Sequence, residues 1–149
     1  MAKAPIGKEV SLVVGKRNAK GPTAGLLAAI VLRKGKKVLL AKTKGWDGGT
    51  WWFLPIDSLR YGEAAEGAVK RISKEWFRGA KLPVKLTQFQ NHLYEGTHWY
   101  PIAVFEGKAP ARVRTDKDIV EVGFFDPAKP PKPLGMDARS ILKEWRKRK

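Results

Sequence analysis

The chain contains no cysteine. A disulfide scaffold, a thiolate zinc site and cysteine nucleophile chemistry are thereby excluded. Histidine is nearly as scarce. Only His92 and His98 are present, too few for an imidazole metal cage. No long apolar run occurs: the longest, Ala24 to Leu32, is far shorter than the roughly 20 residues that span a bilayer. Met1 to Gly15 has neither the apolar stretch nor the small-residue cleavage site of a signal peptide. An intracellular, cytoplasmic protein with no membrane partner is expected. Asn and Gln are confined to Asn18, Asn91, Gln88 and Gln90, while Lys, Arg and Glu abound, which leans toward a thermophile source.

Acidic residues are also in short supply. There are 14 Asp and Glu against 30 Lys and Arg, a formal net charge of +16 over 149 residues. Such an excess repels itself and attracts polyanions. Thermophile surfaces balance Lys with Glu, and this one does not. The length fits one domain with a sizeable core, and a hydrophobic content of 43% excludes compositional disorder.

The cations are unevenly placed. Lys3, Lys8, Lys16, Arg17 and Lys20 crowd the N-terminal part. Arg33, Lys34, Lys36, Lys37, Lys42 and Lys44 follow with no acid among them. Lys143, Arg146, Lys147, Arg148 and Lys149 close the chain. Neutralisation of phosphates by Lys and Arg is the sequence-independent part of nucleic-acid affinity, so these residues are the expected phosphate contacts.

Residues 1–23 read as a basic extended arm, with Pro5, Gly7, Gly15, Gly21 and Pro22 and one short strand candidate at Val10–Val14. Gly15 to Gly21 is not a Walker loop, because Lys20 precedes Gly21 and no Ser or Thr follows a Gly-Lys pair. Leu26–Leu32 and Val38–Thr43, joined through Gly35, predict a β-hairpin. Gly45–Tyr61 reads as an aromatic loop with Trp46, Trp51, Trp52 and Phe53. A helix is expected over 63–77, with Ala65, Ala68, Val69, Ile72 and Trp76 on its apolar arc and Gly79 ending it. Strands are expected at Val84–Gln90, Trp99–Phe105 and Ile119–Phe125, with Trp99 and Tyr100 on opposite faces. His92 and His98 fall in the loop between the first two, as solvated or hydrogen-bonded groups. Asp116 and Asp118 read as a turn. A Pro-rich connection, Asp126–Pro133, leads to a last helix over 137–146 that buries Ile141, Leu142 and Trp145. Strands and helices mix without strict alternation, so a mixed sheet with helices packed on it is expected.

Trp51-Trp52-Phe53-Leu54-Pro55, then Tyr61-Gly62-Glu63, then a helix, resembles the Nudix family. Trp99–Phe105, Glu121–Asp126 and the last helix also fit, so the resemblance covers about residues 24–146. It implies an α/β fold, the Nudix-type α/β/α sandwich with a mixed sheet flanked by helices, between the arm and a basic tail at 147–149. It also implies, for active members, Mg²⁺- or Mn²⁺-dependent hydrolysis of nucleoside diphosphate derivatives. Other members keep the fold without the catalytic box and serve as RNA-binding or ribosomal modules.

The box departs from the family pattern. Anchored on Glu63, its opening Gly falls on Asp57 and its Arg on Arg71. Ile72, Ser73, Trp76 and Arg78 then replace Glu, an apolar residue, the second of the paired Glu and Gly, while Glu75 keeps the first of the pair. Shifting the helix by one residue puts Lys70, Arg71 and Lys74 on box positions instead. A divalent cation needs several oxygen ligands converging on one place. Helical spacing sets Glu63, Lys70 and Lys74 on one stripe, so cations dilute the carboxylates. Each ammonium beside a metal ligand costs roughly 1–4 kcal/mol of repulsion. Lys70, Arg71, Lys74 and Arg78 therefore join the expected phosphate contacts. Trp46, Trp51 and Trp52 are candidate base-stacking rings, although core or groove wall is the commoner use of such residues.

The leading expectation is a non-catalytic RNA-binding protein of this fold. Its expected partners are RNA, rRNA in particular, and the proteins of a ribonucleoprotein such as the ribosome, with no cofactor. The alternative is a divergent hydrolase using Glu63, Glu66 and Glu75, with Glu95 or Glu121 from loops, and Mg²⁺ or Mn²⁺. A second alternative is a basic DNA-binding module that senses a nucleotide.

Overall fold

A computed structural model describes residues 23–45, 48–77, 81–94, 98–113 and 119–148. The expected strand at Val10–Val14, all of the arm before Thr23, Trp46, Arg78, Gly79, Glu95, Asp116, Asp118 and Lys149 lie outside these residues.

The sheet is built from β1 (Thr23–Ala24), β2 (Leu27–Lys34), β3 (Lys37–Lys44), β4 (Thr50–Phe53), β5 (Ile56–Ser58), β6 (Val84–Tyr94), β7 (His98–Lys108) and β8 (Ile119–Phe125). Two helices, α1 (Ala65–Phe77) and α2 (Met136–Lys147), complete the described structure. β1 and β2 pair in parallel with β7 in one continuous register, from Thr23 opposite His98 to Arg33 opposite Lys108. All other pairs are antiparallel. The sheet is mixed, as expected.

β2 and β3 form the expected hairpin, turned by Gly35 at φ +62°, where a left-handed backbone is cheapest for glycine. They pair only at Arg33–Val38 and Lys34–Lys37, next to the turn. Further along they part, and β4–β5 fills the gap. β4 pairs with β3, and β5 pairs with β2. The expected loop over 45–61 is thus two short strands. Trp-Trp-Phe and Ile-Asp-Ser are short, strand-compatible runs, and pairing with parted neighbours satisfies their backbone groups.

β2 is apolar along nearly its whole length because both of its faces are covered. Ala28, Ile30 and Leu32 face α1 and pack with Leu39, Ala68, Val69, Ile72, Phe77 and Phe105. Ala29 and Val31 face α2 and pack with Val38, Leu40, Ile102, Val104, Ile141, Leu142 and Trp145. This is an α/β/α sandwich. The apolar arcs expected on both helices are the ones buried, with Phe77 taking the place expected of Trp76, which is only partly covered. α2 runs one residue past each end of its expected span, so Lys147 is helical rather than tail.

β6 is longer than the expected strand, and His92 lies within it rather than in a loop. Its ring bonds Gln90 Oε1 at 2.7 Å and lies 3.4 Å from Asp137 Oδ1. Gln90 in turn reaches Ser140 on α2. These polar contacts fasten β6 to the second helix.

Candidate functional site

The site begins with a turn. Glu63 N–H donates to the Arg60 carbonyl at 2.9 Å, and Gly62 sits at φ +78°. The Arg60 N–H returns a bond to Glu63 Oε1 at 2.9 Å. Glu63 therefore precedes the helix, which begins at Ala65. This corrects the expected helical stripe of Glu63, Lys70 and Lys74. The Glu63 carboxylate is held in the turn and reaches forward to Arg71.

Arg71 is the centre of the site. Its Nε donates to Glu63 Oε2 at 3.0 Å and its Nη2 to Glu63 Oε1 at 2.9 Å. Nη1 donates to Asp57 Oδ2 at 2.8 Å and to Glu75 Oε1 at 3.3 Å. Nη2 also donates to the Ser58 carbonyl at 2.6 Å. A guanidinium has five N–H donors in a fixed fork, and here each has an acceptor. The β4–β5 insertion supplies Asp57 and Ser58, the turn supplies Glu63, and the next turn of helix supplies Glu75. The hydrogen-bonded Arg71 guanidinium holds the Glu63 carboxyl below the usual carboxylate range. The Glu63 carboxylate in turn raises the Arg71 pKa further.

This donor set does not fit a divalent cation. The three carboxylates that converge here have a permanently charged guanidinium at their focus. A metal would have to displace that charge or sit beside it. Among the described residues, no group of three or more His, Asp or Glu side chains is arranged to hold a metal ion. Of the other acidic candidates, Glu66 is exposed in the first turn of α1, and Glu121 lies on β8 opposite Lys42.

Beside the Arg71 cluster lies an open cleft of about 550 Å³, lined by Arg60, Lys70, Arg71, Lys74 and Glu75. Arg71 is spent on its acceptors, so Arg60, Lys70 and Lys74, all exposed, supply the positive charge there. Sequence reasoning missed Arg60. It is the residue just before the Tyr61-Gly62 turn, and only the turn brings it against α1.

The remaining cations separate into distinct places. Arg33, Lys34, Lys36 and Lys37 stand at the β2–β3 turn, and register brings Lys108 opposite Arg33 and Lys85 opposite Glu106. Arg33, Lys85, Glu106 and Lys108 line a second open cleft of about 380 Å³. Within it Arg33 Nε donates to the buried Glu106 Oε2 at 2.8 Å, so that guanidinium is partly neutralised. Lys34 and Lys42 lie over rings, 5.2 Å from Phe124 and 5.9 Å from Trp52. Lys44 is exposed at the end of β3. Lys143, Arg146 and Lys147 are exposed on α2 and Arg148 just past its end, across the sheet from α1. Lys16, Arg17, Lys20, Arg78 and Lys149 are outside the described residues.

The base-stacking candidates divide as well. Trp52 is buried in the core, edge-on to Phe125 at 4.9 Å, and cannot stack on a base without unfolding its surroundings. Trp51 is half-buried on the other face of β4. Trp99 is exposed, and Tyr100 is turned the other way and partly covered.

No family model matches the chain, and no curated protein matches it. Solved structures do. The MutT protein of Methanosarcina mazei Go1 superposes with a TM-score of 0.71 at 16% identity, over 88% of this chain and 98% of that one. The Nudix domain of Shewanella oneidensis NrtR, solved with ADP-ribose, gives 0.67 at 16% identity, over 93% and 97%. A MutT Nudix hydrolase from Burkholderia pseudomallei gives 0.64 at 20% identity, over 81% and 97%. The chain has the Nudix fold.

Proposed function

We propose that this protein uses a Nudix fold to bind the phosphate backbone of RNA, and that its box helix recognises phosphate rather than hydrolysing it. The observation that carries this reading is the Arg71 cluster. The carboxylates at the box are engaged by one guanidinium, and the cleft beside them presents Arg60, Lys70 and Lys74. The +16 charge and the cations at the β2–β3 turn support the same chemistry. Association with a ribonucleoprotein such as the ribosome belongs to this reading, with the cationic α2 face as a further contact.

A second reading is a divergent hydrolase acting on nucleoside diphosphate derivatives with Mg²⁺ or Mn²⁺. The likeness to solved Nudix hydrolases favours it, as the donor set favours the first. One set of samples separates them. The wild-type protein and Glu63→Gln are titrated with fluorescent single-stranded RNA and assayed for divalent-dependent turnover of a nucleoside diphosphate panel. Salt-sensitive RNA binding without turnover supports the first reading. Turnover lost in Glu63→Gln establishes the second.

A further inference from the structure

Arg33 and Arg71 both pair with carboxylates, and they differ in what each has left to give. Every N–H of the Arg71 guanidinium is met by an acceptor within the protein. Arg33 spends only Nε, on Glu106 Oε2 at 2.8 Å. Its Nη1 and Nη2 make no hydrogen bond among the described residues. Those two groups form the end of the fork, which matches two oxygens of one phosphate. The carboxylate that aims the fork is itself covered: the Glu106 side chain is 7% exposed, whereas Arg33 keeps 33%. A carboxylate so covered needs a partner, so its charge is matched before any ligand arrives.

Register builds the surroundings. Ala29 and Val31 face α2, and Arg33, two residues on, faces the same way. Glu106 lies opposite Val31, Lys108 opposite Arg33 and Lys85 opposite Glu106. Cross-strand partners share a face, so Arg33, Lys108 and Lys85 stand on one face of three adjacent strands, around the open cleft of about 380 Å³. The start of β6 closes tightly on β7 there: a Cβ on Gly107 would meet the Pro83 carbonyl oxygen at 2.6 Å. Lys85 and Lys108 are both exposed. α2 adds charge at the same end of the sheet. Asp137 lies against His92, Ser140 against Gln90 and the Ile141 carbonyl against Gln88. The helix therefore descends along β6 toward Lys85, and Arg146 and Lys147 fall in its last turn.

The cleft offers three cations against one covered carboxylate. A divalent cation, which needs several oxygen ligands, finds a single carboxylate there. A phosphate group finds the free end of a positioned guanidinium and an ammonium from each neighbouring strand. We propose that this cleft is a second phosphate site, in which Arg33 takes two phosphate oxygens on Nη1 and Nη2, Lys85 and Lys108 add charge from β6 and β7, and Glu106 is the positioning residue; it rests on the RNA reading only for the identity of the polymer. The site lies on the α2 face of the sheet, whereas the cleft at Arg60, Lys70 and Lys74 lies beside α1. A polymer filling both has to pass around the sheet.

Nitrogen-15 NMR of the full chain at low salt reads the site directly. Titration with single-stranded RNA is expected to shift the Arg33 Nε–H signal and the amides of Lys85, Gly107 and Lys108, separately from any shift at Lys70 and Lys74. Inorganic pyrophosphate is the second probe. A response to RNA assigns the site to a polymer backbone, and a response to pyrophosphate alone assigns it to a small phosphate compound. Arg33→Lys keeps the charge and loses the fork, so the affinity read from the Lys108 amide should fall several-fold. Lys108→Gln, at an exposed position, should also weaken binding, read from the Gly107 amide, and leave the rest of the spectrum unchanged. An Arg33 signal unmoved by both probes would overturn the site, and shifts at Lys70 and Lys74 in the same titration would leave the RNA reading standing. RNA that moves none of these signals, where pyrophosphate moves Arg33, would contradict the RNA reading and keep the phosphate site. Unchanged affinity in Arg33→Lys, or in Lys108→Gln where Arg33→Lys does not fold, would overturn the site in favour of diffuse surface charge.

Discussion

Arg71 grips Glu63 with two parallel bonds, Nε to Oε2 at 3.0 Å and Nη2 to Oε1 at 2.9 Å, across eight residues of chain. The pair ties the turn before α1 to the middle of that helix. The remaining N–H groups of the same guanidinium tie in β5 and Glu75. Arg71 thus works as a structural joint, and its charge is matched locally rather than offered to a ligand.

Removal of the joint should be costly. Arg71→Met leaves Asp57, Glu63 and Glu75 close together without a counter-charge and is expected to destabilise by about 2–4 kcal/mol. Arg71→Lys should recover only part of that, because an ammonium has three donors and no planar fork. Urea unfolding of the three proteins checks both statements.

The same pair sets an acid limit. The Glu63 carboxyl titrates below its ordinary value of 4.5 in the folded protein. Its contribution to stability is therefore complete above that value and is lost as pH falls through the lower, folded value. Arg71 stays charged throughout. Stability measured by thermal melting should fall on the acid side of about pH 4.5, and Glu63→Gln should flatten that part of the profile while lowering stability at neutral pH.

Trp52 and Trp51 should part company on mutation. Trp52→Ala empties a core position against Phe125 and Leu54 and is expected to cost about 3–5 kcal/mol. Trp51→Ala, at a half-buried position on the other face of β4, should cost clearly less. Trp52→Phe, which keeps the fold, should leave RNA affinity unchanged; a weakened affinity would return Trp52 to the binding surface.

The box helix should not turn over nucleotides. With Mg²⁺ or Mn²⁺ and a panel of nucleoside diphosphate derivatives, release of phosphate or nucleotide should stay at the level of the protein-free blank. Lys70→Glu with Lys74→Glu should instead weaken RNA binding, because both residues line the cleft and each phosphate contact adds to the affinity.

Much of the fold could be read from the chain, because burial leaves a periodic trace. β2 is apolar throughout where both faces are covered, and α1 and α2 carry their apolar arcs at helical spacing. β8 coincides with its expected span. The β4–β5 insertion could not be read, since its strands are three and four residues long and owe their form to the parting of β2 from β3. The far end of β6 was hidden by Asn91 and His92, polar residues that look like loop, although His92 in fact lies against Asp137 of α2.

The site was legible in part. The run from Trp51 to Glu63 located it, and Arg71 stood out as the box arginine. The direction in which Arg71 points depends on where the helix begins and on where β5 pairs, two features with no local signature. A cation counted as a phosphate contact therefore proved to be engaged by three carboxylates, and Arg60 was passed over.

The most direct test of phosphate recognition is the affinity for single-stranded RNA measured between about 50 and 200 mM salt. If four phosphates are neutralised, log affinity should fall against log salt with a slope near −3, roughly a fifty-fold loss over that range. An affinity that does not change with salt, or no detectable binding at the low-salt end, would contradict the account.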